Sequence, residues 1–333
     1  MAGTARTGDL IARPCAERPG QSPLAVTDAR RCALLAIDWG TTSARAYRLD
    51  GDGRILETKS APLGIQSVAD RQFAAALDAL LDEWRDETAP RIACGMIGSR
   101  QGWTEASYVG CPVDLAGLGA NLARTPGGEL AVVPGALCVD AAGIPDVMRG
   151  EETQVAGAFD GDHDRMLAVL PGTHSKWAIV DAGHLRAFAT FMTGELFAVL
   201  LAHSILGRMA DRTGTANATA GAFARGVAAG LAGSGFSHVI FGARTLALTD
   251  ELVPRDVGEW LSGALIGLEI QAARAWTAEQ RADIDTVTVI GGEALATRYT
   301  AALAQAGIDA NLGPADAAAA GLFRIAQRAR LMG

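Results

Sequence analysis

Two segments of this chain repeat one pattern, in which an apolar strand leads into a Gly-Thr loop and a second strand runs back. The first segment runs from Leu34 to Lys59 and the second from Met166 to Thr190. At a constant offset of 132 residues, their identities include Ala36 with Ala168, Gly40 with Gly172, Thr41 with Thr173, Ser43 with Ser175, Gly51 with Gly183, Arg54 with Arg186 and Thr58 with Thr190. Hairpins are common, so chance similarity is one explanation. Because polar loop residues match as well as the turns, we interpret the segments as copies of a duplicated unit.

Helical patterns follow both copies, which predicts an α/β fold with mixed sheets flanked by helices. After the first copy, apolar residues between Phe73 and Trp84 are at helical spacing, and residues 92–97 predict a short strand. After the second copy, the pattern predicts a strand at 286–290 and helices at 293–306 and 315–330.

The chain has 333 residues, enough for two domains at about 150 residues each. The sequence before residue 32 lacks periodicity and is rich in Pro, Gly and Arg. We therefore expect a flexible extension at 1–31, a first domain at 32–150 and a second domain at 151–333.

Charge and composition argue against several classes of protein. The chain has 29 basic and 37 acidic residues, and its net charge of −8 argues against nucleic-acid binding. A pocket for an anionic small molecule needs only local positive potential.

No apolar run reaches the roughly 18 residues of a membrane span, so no membrane partner is expected. Five cysteines without a CxxC motif indicate reduced thiols and a cytoplasmic protein. The oligomeric state stays open, with a homodimer among the options.

Three glycine-containing turns lie just past apolar strands, at 38–43, 170–177 and 290–294. Small residues let backbone N–H groups approach an anion closely, and hydroxyl groups add donors. The two loops of the repeat could therefore grip a polyphosphate between the domains, and the turn at Gly291-Gly292 could receive a nucleoside. Asp38, which ends the first strand, could hold Mg²⁺ through water. The candidate ligands of the nucleotide and its metal ion in these two loops are Asp38, Gly40, Thr41, Thr42, Ser43, Gly172, Thr173, His174, Ser175 and Lys176.

The order of these loops resembles that in the superfamily of acetate and sugar kinases, actin and heat-shock chaperones. Within it, six stretches resemble the 2-dehydro-3-deoxygalactonokinase family: AIDWGTTSARA at 36–46, GMIGSRQGW at 95–103, MRGEETQ at 148–154, LPGTHSKW at 170–177, MTGELF at 192–197 and WLSGALIG at 260–267. The resemblance implies two duplicated ribonuclease-H-like domains of the actin-like ATPase superfamily, closing on ATP and Mg²⁺. It also implies transfer of the ATP γ-phosphate to the terminal 6-hydroxyl of 2-dehydro-3-deoxy-D-galactonate.

Phosphoryl transfer needs a group that accepts the proton of the attacking hydroxyl. Glu151 and Glu152, about 20 residues before the second loop, are the candidates, because related enzymes keep a catalytic carboxylate at a similar place. Sugar kinases more often use Asp there, so either glutamate could be the base. The alternative is that both are solvated charges at a helix start.

The expected sugar side contains Gly98, Ser99, Arg100 and Trp103, which follow the strand at 92–97. Arg100 could bind the substrate carboxylate through two parallel hydrogen bonds. Two other functions share the same loops. One is an exopolyphosphatase-like phosphohydrolase of the same fold, which would need a basic channel. The other is a non-enzymatic nucleotide switch, which would need a long additional segment.

Overall fold

The computed structural model describes residues 31–159, 161, 164–211, 220–233, 235–282 and 286–332. The expected N-terminal extension up to residue 30, and Cys15 within it, lie outside the described residues. The strands are β1 Leu34–Trp39, β2 Ala44–Leu49, β3 Ile55–Ala61, β4 Arg91–Gly95, β5 Tyr108–Gly110, β6 Ala123–Arg124, β7 Ala131–Val132, β8 Gly135–Val139, β9 Pro145–Met148, β10 Arg165–Leu170, β11 Ser175–Asp181, β12 His184–Phe191, β13 Thr286–Val289 and β14 Asp309–Leu312.

The helices alternate with these strands in the first half. The described helices are α1 Phe73–Leu81, α2 Leu115–Ala120, α3 Glu151–Ala158, α4 Thr193–His203, α5 Ala220–Leu231, α6 Phe236–Leu248, α7 Val257–Glu279, α8 Glu293–Gln305 and α9 Ala317–Arg328. In the second half α4 to α7 follow the hairpin as a group, and α8 and α9 alternate with β13 and β14. No described helix is both long and apolar enough to cross a membrane.

The two large sheets have one topology, which confirms the predicted fold of duplicated units. The first sheet has the order β3-β2-β1-β4-β7-β6, and the second has the order β12-β11-β10-β13-β14. In each sheet three antiparallel strands are followed by two parallel ones, because β1 pairs in parallel with β4 and β4 with β7, as β10 does with β13 and β13 with β14. The first sheet has one further strand, β6, which is antiparallel to β7. Parallel neighbours bring the carboxyl ends of their strands to one edge, where the loops of the repeat lie.

The two hairpins differ in the lengths of their turns. Residues 40–43 connect the paired ends of β1 and β2, whereas residues 171–175 connect those of β10 and β11. The outer turn of the second unit has only Ala182 and Gly183, both with positive φ, while that of the first spans residues 50–54. The constant offset of 132 residues therefore matches residues of the two inner loops only approximately. It does not align structurally equivalent residues beyond the outer turn.

A small third sheet lies between the two units and was not predicted from the sequence. It has the order β5-β8-β9, and β9 leads directly into α3. A bridge between Val113 and Leu185 joins the segment after β5 to the second sheet's unit. Lys176 strengthens the same junction, since its Nζ donates to the Val147 carbonyl oxygen at 2.9 Å.

The helices α3 and α9 cross at two glycines and connect the halves. A Cβ added to Gly157 would lie 1.9 Å from the Ala317 carbonyl oxygen, and one added to Gly321 would lie 1.9 Å from that of Thr153. The backbones therefore touch, which only glycine permits. α9 also packs on β1 and β4, and its buried residue Leu322 belongs to one apolar core with residues of both sheets, including Ala36 and Ala168.

Close glycine contacts also build the helical layer on the second sheet. A Cβ at Gly226 of α5 would lie 2.0 Å from the Trp260 carbonyl oxygen, and one at Gly263 of α7 would lie 2.1 Å from that of Phe223. This close approach packs α5 against α7, and Val227 and Ile266 cover one face of the second sheet from these two helices.

Candidate active site

A cavity of about 390 Å³ lies between the two units, at the ends of the strands where the predicted loops begin. Its lining combines the first loop, the first turn of α3, the Gly-Gly turn and the start of α9. The lining residues are Asp38, Gly40, Ser43, Arg45, Tyr47, Gln154, Ile290, Gly291, Gly292, Glu293, Pro314, Ala315, Ala317 and Ala318. The structure thus brings Asp38, Gly40 and Ser43 together with Gly291 and Gly292.

Asp38 is half-buried at the end of β1, beside Cys94 on the parallel strand β4. The Cys94 thiol donates to the Asp38 Oδ1 at 3.8 Å. Burial, followed by the negative charge of Glu151, raises the pKa of the Asp38 carboxyl, although the positive charge of Arg45 opposes this. Asp38 and Glu151 are therefore close enough for their charges to repel.

Two backbone carbonyl oxygens of the first loop accept hydrogen bonds that hold the loop in place, while the tip of the loop is exposed to solvent. The carbonyl oxygens of Gly40 and Thr41 accept the N–H groups of Ile65 and Gln66 at 3.1 Å each. Thr42 and Ser43 are exposed to solvent. The first loop therefore presents donor groups to the cavity from a fixed backbone.

The second loop presents Thr173 and His174, whose side chains are exposed. The Thr173 carbonyl oxygen accepts the N–H of Glu195 at 2.9 Å, and the His174 ring pairs with the Glu195 carboxylate. Gly194 fits directly against the loop, because a Cβ there would lie 2.4 Å from the Gly172 carbonyl oxygen. The start of α4 therefore fixes the second loop, although the loop does not line the 390 Å³ cavity among the described residues.

The other two predicted ligands of this loop have buried partners. Ser175 is buried, and its hydroxyl bonds the Tyr299 hydroxyl at 2.8 Å. Tyr299 and Trp177 in turn donate to the buried carboxylate of Glu269 at 2.7 and 2.8 Å. Lys176 is also buried, and its Nζ donates to Thr190 at 2.7 Å and to Val147. Both side chains point into the protein, so they support the second loop from beneath.

The two adjacent glutamates at the start of α3 have different surroundings. Glu151 is half-buried, and its Oε2 accepts the backbone N–H of Arg149 at 2.9 Å. Glu152 is only 1% exposed, accepts the N–H of Gly150 at 2.7 Å, and lines a separate cavity of about 550 Å³ together with Val155 and Phe159. Burial, with the charge of Glu151, raises the pKa of Glu152 to about 8. Of the two glutamates, Glu151 is the one whose negative charge raises the pKa of Asp38.

The predicted sugar-side residues are divided between the interior and the solvent. Gly98 is buried after β4, and the hydroxyl of Ser99 is buried as well. Arg100 is exposed, and its Nε donates to the Glu105 carboxylate at 2.9 Å. Trp103 stacks on Phe73 with the ring centroids 6.3 Å apart. Arg100 therefore does not point toward Gly98 and the buried hydroxyl beside it.

The sequence patterns do not point to Tyr47, Arg149 or Gln154, although all three lie in or beside the candidate site. Tyr47 and Gln154 line the cavity, and the Tyr47 hydroxyl bonds Arg45. Arg149 and Gln154 both lie in the stretch MRGEETQ, in which only the acidic residues were selected. The proximity of Arg149 to the glutamates was the available signal.

Comparison with known proteins identifies the family of this chain. The sequence profile of the family described as 2-keto-3-deoxy-galactonokinase matches residues 38–325. The chain is 36% identical over 280 residues to the 2-dehydro-3-deoxygalactonokinase of Escherichia coli strain K12, covering 83% of this chain and 90% of that protein. It is 35% identical over 302 residues to a Rhizobium meliloti protein that carries the same enzyme name, covering 88% and 96%.

A crystal structure from Sinorhizobium meliloti, described under the same enzyme name, matches with a TM-score of 0.80 and 35% identity, covering 88% of this chain and 98% of that one. The profile match includes both loops of the repeat and the two helices that cross between the units. The chain belongs to the 2-keto-3-deoxy-galactonokinase family, whose members are ATP-dependent sugar kinases.

Proposed function

We propose that this protein transfers the γ-phosphate of ATP to the 6-hydroxyl of 2-dehydro-3-deoxy-D-galactonate, giving the 6-phosphate and ADP. The observation that carries this proposal is the cavity between the units, which unites the first loop with the Gly291-Gly292 turn beside Glu151. Glycine turns at strand ends can bind phosphates through backbone N–H groups. The enzyme name that the two relatives share supplies the substrate.

Glu151 is the better candidate for the general base. A base must come within hydrogen-bond reach of the hydroxyl whose proton it accepts. Glu151 is half-buried on the side of Asp38, whereas the carboxylate of Glu152 is engaged by Gly150 and Thr153. We therefore assign proton transfer to Glu151. Glu152 then fixes the turn at Gly150, which has a φ of 106°.

Magnesium is implied by the kinase reaction, and the residues present fit it. The carboxylates of Asp38 and Glu151 repel each other, and a cation held between water molecules would relieve this repulsion. The described residues contain no group of three or more metal-binding side chains, which suits an ion that keeps most of its water. Asp38 would hold the ion, which neutralises charge on the phosphates.

This role of Asp38 can be tested by titration with magnesium. The Asp38→Asn variant should need a higher Mg²⁺ concentration for half-maximal rate, because a neutral amide binds the hydrated ion less well. The Asp52→Asn variant, altered in an exposed residue of the outer turn, is the matched control. An unchanged Mg²⁺ requirement in Asp38→Asn would remove Asp38 from the metal site.

We also propose that the domains are divided at residue 150 and that the second loop completes the site by closure. Thr173 and His174 lie on the second unit with exposed side chains. Closing the units on ATP would bring both loops to the phosphates and exclude water.

Because the substrate is ATP and the described cysteines are free thiols, we place the reaction in the cytoplasm.

An ADP-release assay with a panel of acceptors tests the function. We expect ADP to appear with ATP and 2-dehydro-3-deoxy-D-galactonate, and at a much lower rate with D-galactonate or neutral hexoses. The product should be identified as the 6-phosphate by NMR. Phosphate release from polyphosphate, or ATP turnover independent of any sugar acid, would overturn the proposal.

A further inference from the structure

Arg149 lies immediately after β9, between the small third sheet and Glu151. Its Nη2 donates to the Ala106 carbonyl oxygen at 2.8 Å, and its guanidinium lies 4.4 Å from the centre of the Tyr108 ring. Its Nη1 is beside Gly98, since a Cβ added to that glycine would lie 2.9 Å from this atom. Three contacts therefore hold the guanidinium at one position, next to the segment 98–99.

Several polar atoms at this position are buried without a partner. The Nε and Nη1 of Arg149 and the Oγ of Ser99 have no hydrogen-bond partner among the residues that the structure describes. Buried polar groups are normally paired, and leaving a charged donor unpaired costs more than leaving a neutral one. These atoms are therefore available to a ligand that supplies hydrogen-bond acceptors. A guanidinium edge suits a planar carboxylate, which can accept two parallel hydrogen bonds.

The same residue also holds the candidate base. The backbone N–H of Arg149 donates to the Glu151 Oε2, while its guanidinium extends one side-chain length away to Gly98. A six-carbon sugar acid has the hydroxyl to be phosphorylated at one end and its carboxylate at the other. We infer that the Arg149 guanidinium, with the Ser99 hydroxyl, binds the substrate carboxylate and thereby selects sugar acids over neutral sugars. This inference rests on the proposed function.

The inference moves substrate recognition from Arg100, which the sequence favours, to Arg149. The Arg100 side chain is 88% exposed and already ion-paired with Glu105. An exposed ion pair of this kind contributes little specificity. Arg100 therefore provides a matched control, because it is a nearby arginine that the inference places outside the substrate site.

The test compares Arg149→Met and Arg149→Lys with Arg100→Met in steady-state kinetics. The Arg149→Met variant should raise the KM for the sugar acid by roughly 10- to 150-fold, the range for hydrogen bonds to a charged group. The KM for ATP should stay within about twofold, because nucleotide contacts lie elsewhere. Arg149→Lys should recover part of the affinity, and Arg100→Met should match the wild type.

Two further measurements separate recognition from a structural role. With the substrate carboxylate replaced by a primary amide, wild type and Arg149→Met should show similar kcat/KM, since the amide carries no charge to recognise. The sugar acid alone should also raise the melting temperature of the wild type more than that of Arg149→Met. If Arg149→Met does not fold, Ser99→Ala and Arg149→Lys carry the same comparisons.

The possible outcomes separate a failure of this inference from a failure of the proposed function. If the wild type does not phosphorylate the sugar acid, the proposed function fails, and the inference fails with it. If the wild type is active but the Arg149 and Ser99 variants keep its KM and its selectivity for the acid over the amide, only the inference is overturned.

Discussion

At the scale of single residues, the contrast between Glu151 and Glu152 arises from the helix start that they share. Adjacent side chains on a helix point in different directions, so Glu151 faces Asp38 and Glu152 faces the separate cavity of about 550 Å³. The sequence pattern RGEET offers no means of choosing between them. Burial and hydrogen bonding, which depend on the whole fold, make the distinction.

Replacing the two glutamates separately tests this assignment. Glu151→Gln should lower kcat by about 10²- to 10⁴-fold, because the amide cannot accept the hydroxyl proton. Glu152→Gln keeps the shape and an acceptor oxygen, so its kcat should stay within a few fold of the wild type. Saturating kinetics with both substrates measures this. The reverse order of effects would assign the base to Glu152.

The buried carboxyl of Glu152 also predicts a dependence of stability on pH. Its pKa is raised from the usual 4.5 to about 8 by burial and by Glu151, so the folded protein binds a proton that the unfolded chain releases. The contribution of this proton to the free energy of unfolding is complete below about pH 4.5 and is lost as the pH rises toward 8.

Thermal unfolding measured across this pH range checks that direction. The melting temperature of the wild type should decrease relative to that of Glu152→Gln between pH 5 and 8, because the amide does not titrate. Parallel curves for the two proteins would mean that Glu152 is ionised in the folded state throughout.

The side chains of the second loop show where sequence similarity misleads at this scale. Ser43 and Ser175 match in the aligned copies, yet Ser43 is exposed beside the cavity and Ser175 is buried against Tyr299. The inner loops of the two hairpins differ in length by one residue. Because side chains of a strand alternate between its two faces, this difference reverses the direction of aligned side chains in the strand after the loop. Backbone positions could be predicted from the repeat, whereas these side-chain roles could not.

At the scale of elements, helices and strands of the two repeated units were predictable, whereas the strands of the small third sheet were not. The predicted helix at 293–306 agrees with α8, and the predicted strand at 286–290 agrees with β13. The strands β5, β8 and β9 have three to five residues each, and β5 pairs with β8 in parallel across a long intervening segment. Non-local pairing leaves no periodic signal in so few residues. The surroundings of Arg149, which follow from this sheet, were therefore missed.

The crossing of α3 and α9 predicts a strong effect of one methyl group. Gly321→Ala should destabilise the protein by about 1–3 kcal/mol, because its Cβ would collide with the Thr153 carbonyl oxygen and force the helices apart. Gly221→Ala in α5, where a Cβ meets no atom within 4 Å, is the matched control and should not lower stability. Urea denaturation of both variants measures the difference, and equal stabilities would contradict the described contact.

At the scale of the whole molecule, the described cavity is only part of the expected site. It includes the first loop and the Gly291-Gly292 turn, while Thr173 and His174 are exposed outside it. We therefore expect the two units to rotate toward each other when both substrates bind. The resemblance predicted two units with a site between them, and the duplicated sheets confirm the two units.

Small-angle X-ray scattering tests this closure. The radius of gyration should decrease when MgADP and the sugar acid are added together, and it should decrease less with either alone, because each contacts mainly one side of the cleft. A variant with Glu151→Gln should close as the wild type does, since it retains the binding groups. A constant radius of gyration would show that the site is complete without rotation.

The packing of α9 on β1 and β4 also determines when this protein can finish folding during its synthesis. β1 begins at residue 34, but the helix that covers one face of its sheet begins at residue 317. Nearly the whole described chain must therefore be translated before α9 can bury that face of the sheet. Until then the first unit exposes apolar residues such as Ala36 and Cys94, which later join the core with Leu322. Released chains that end before residue 317 should be cut by protease in the first unit faster than released chains that extend past residue 328.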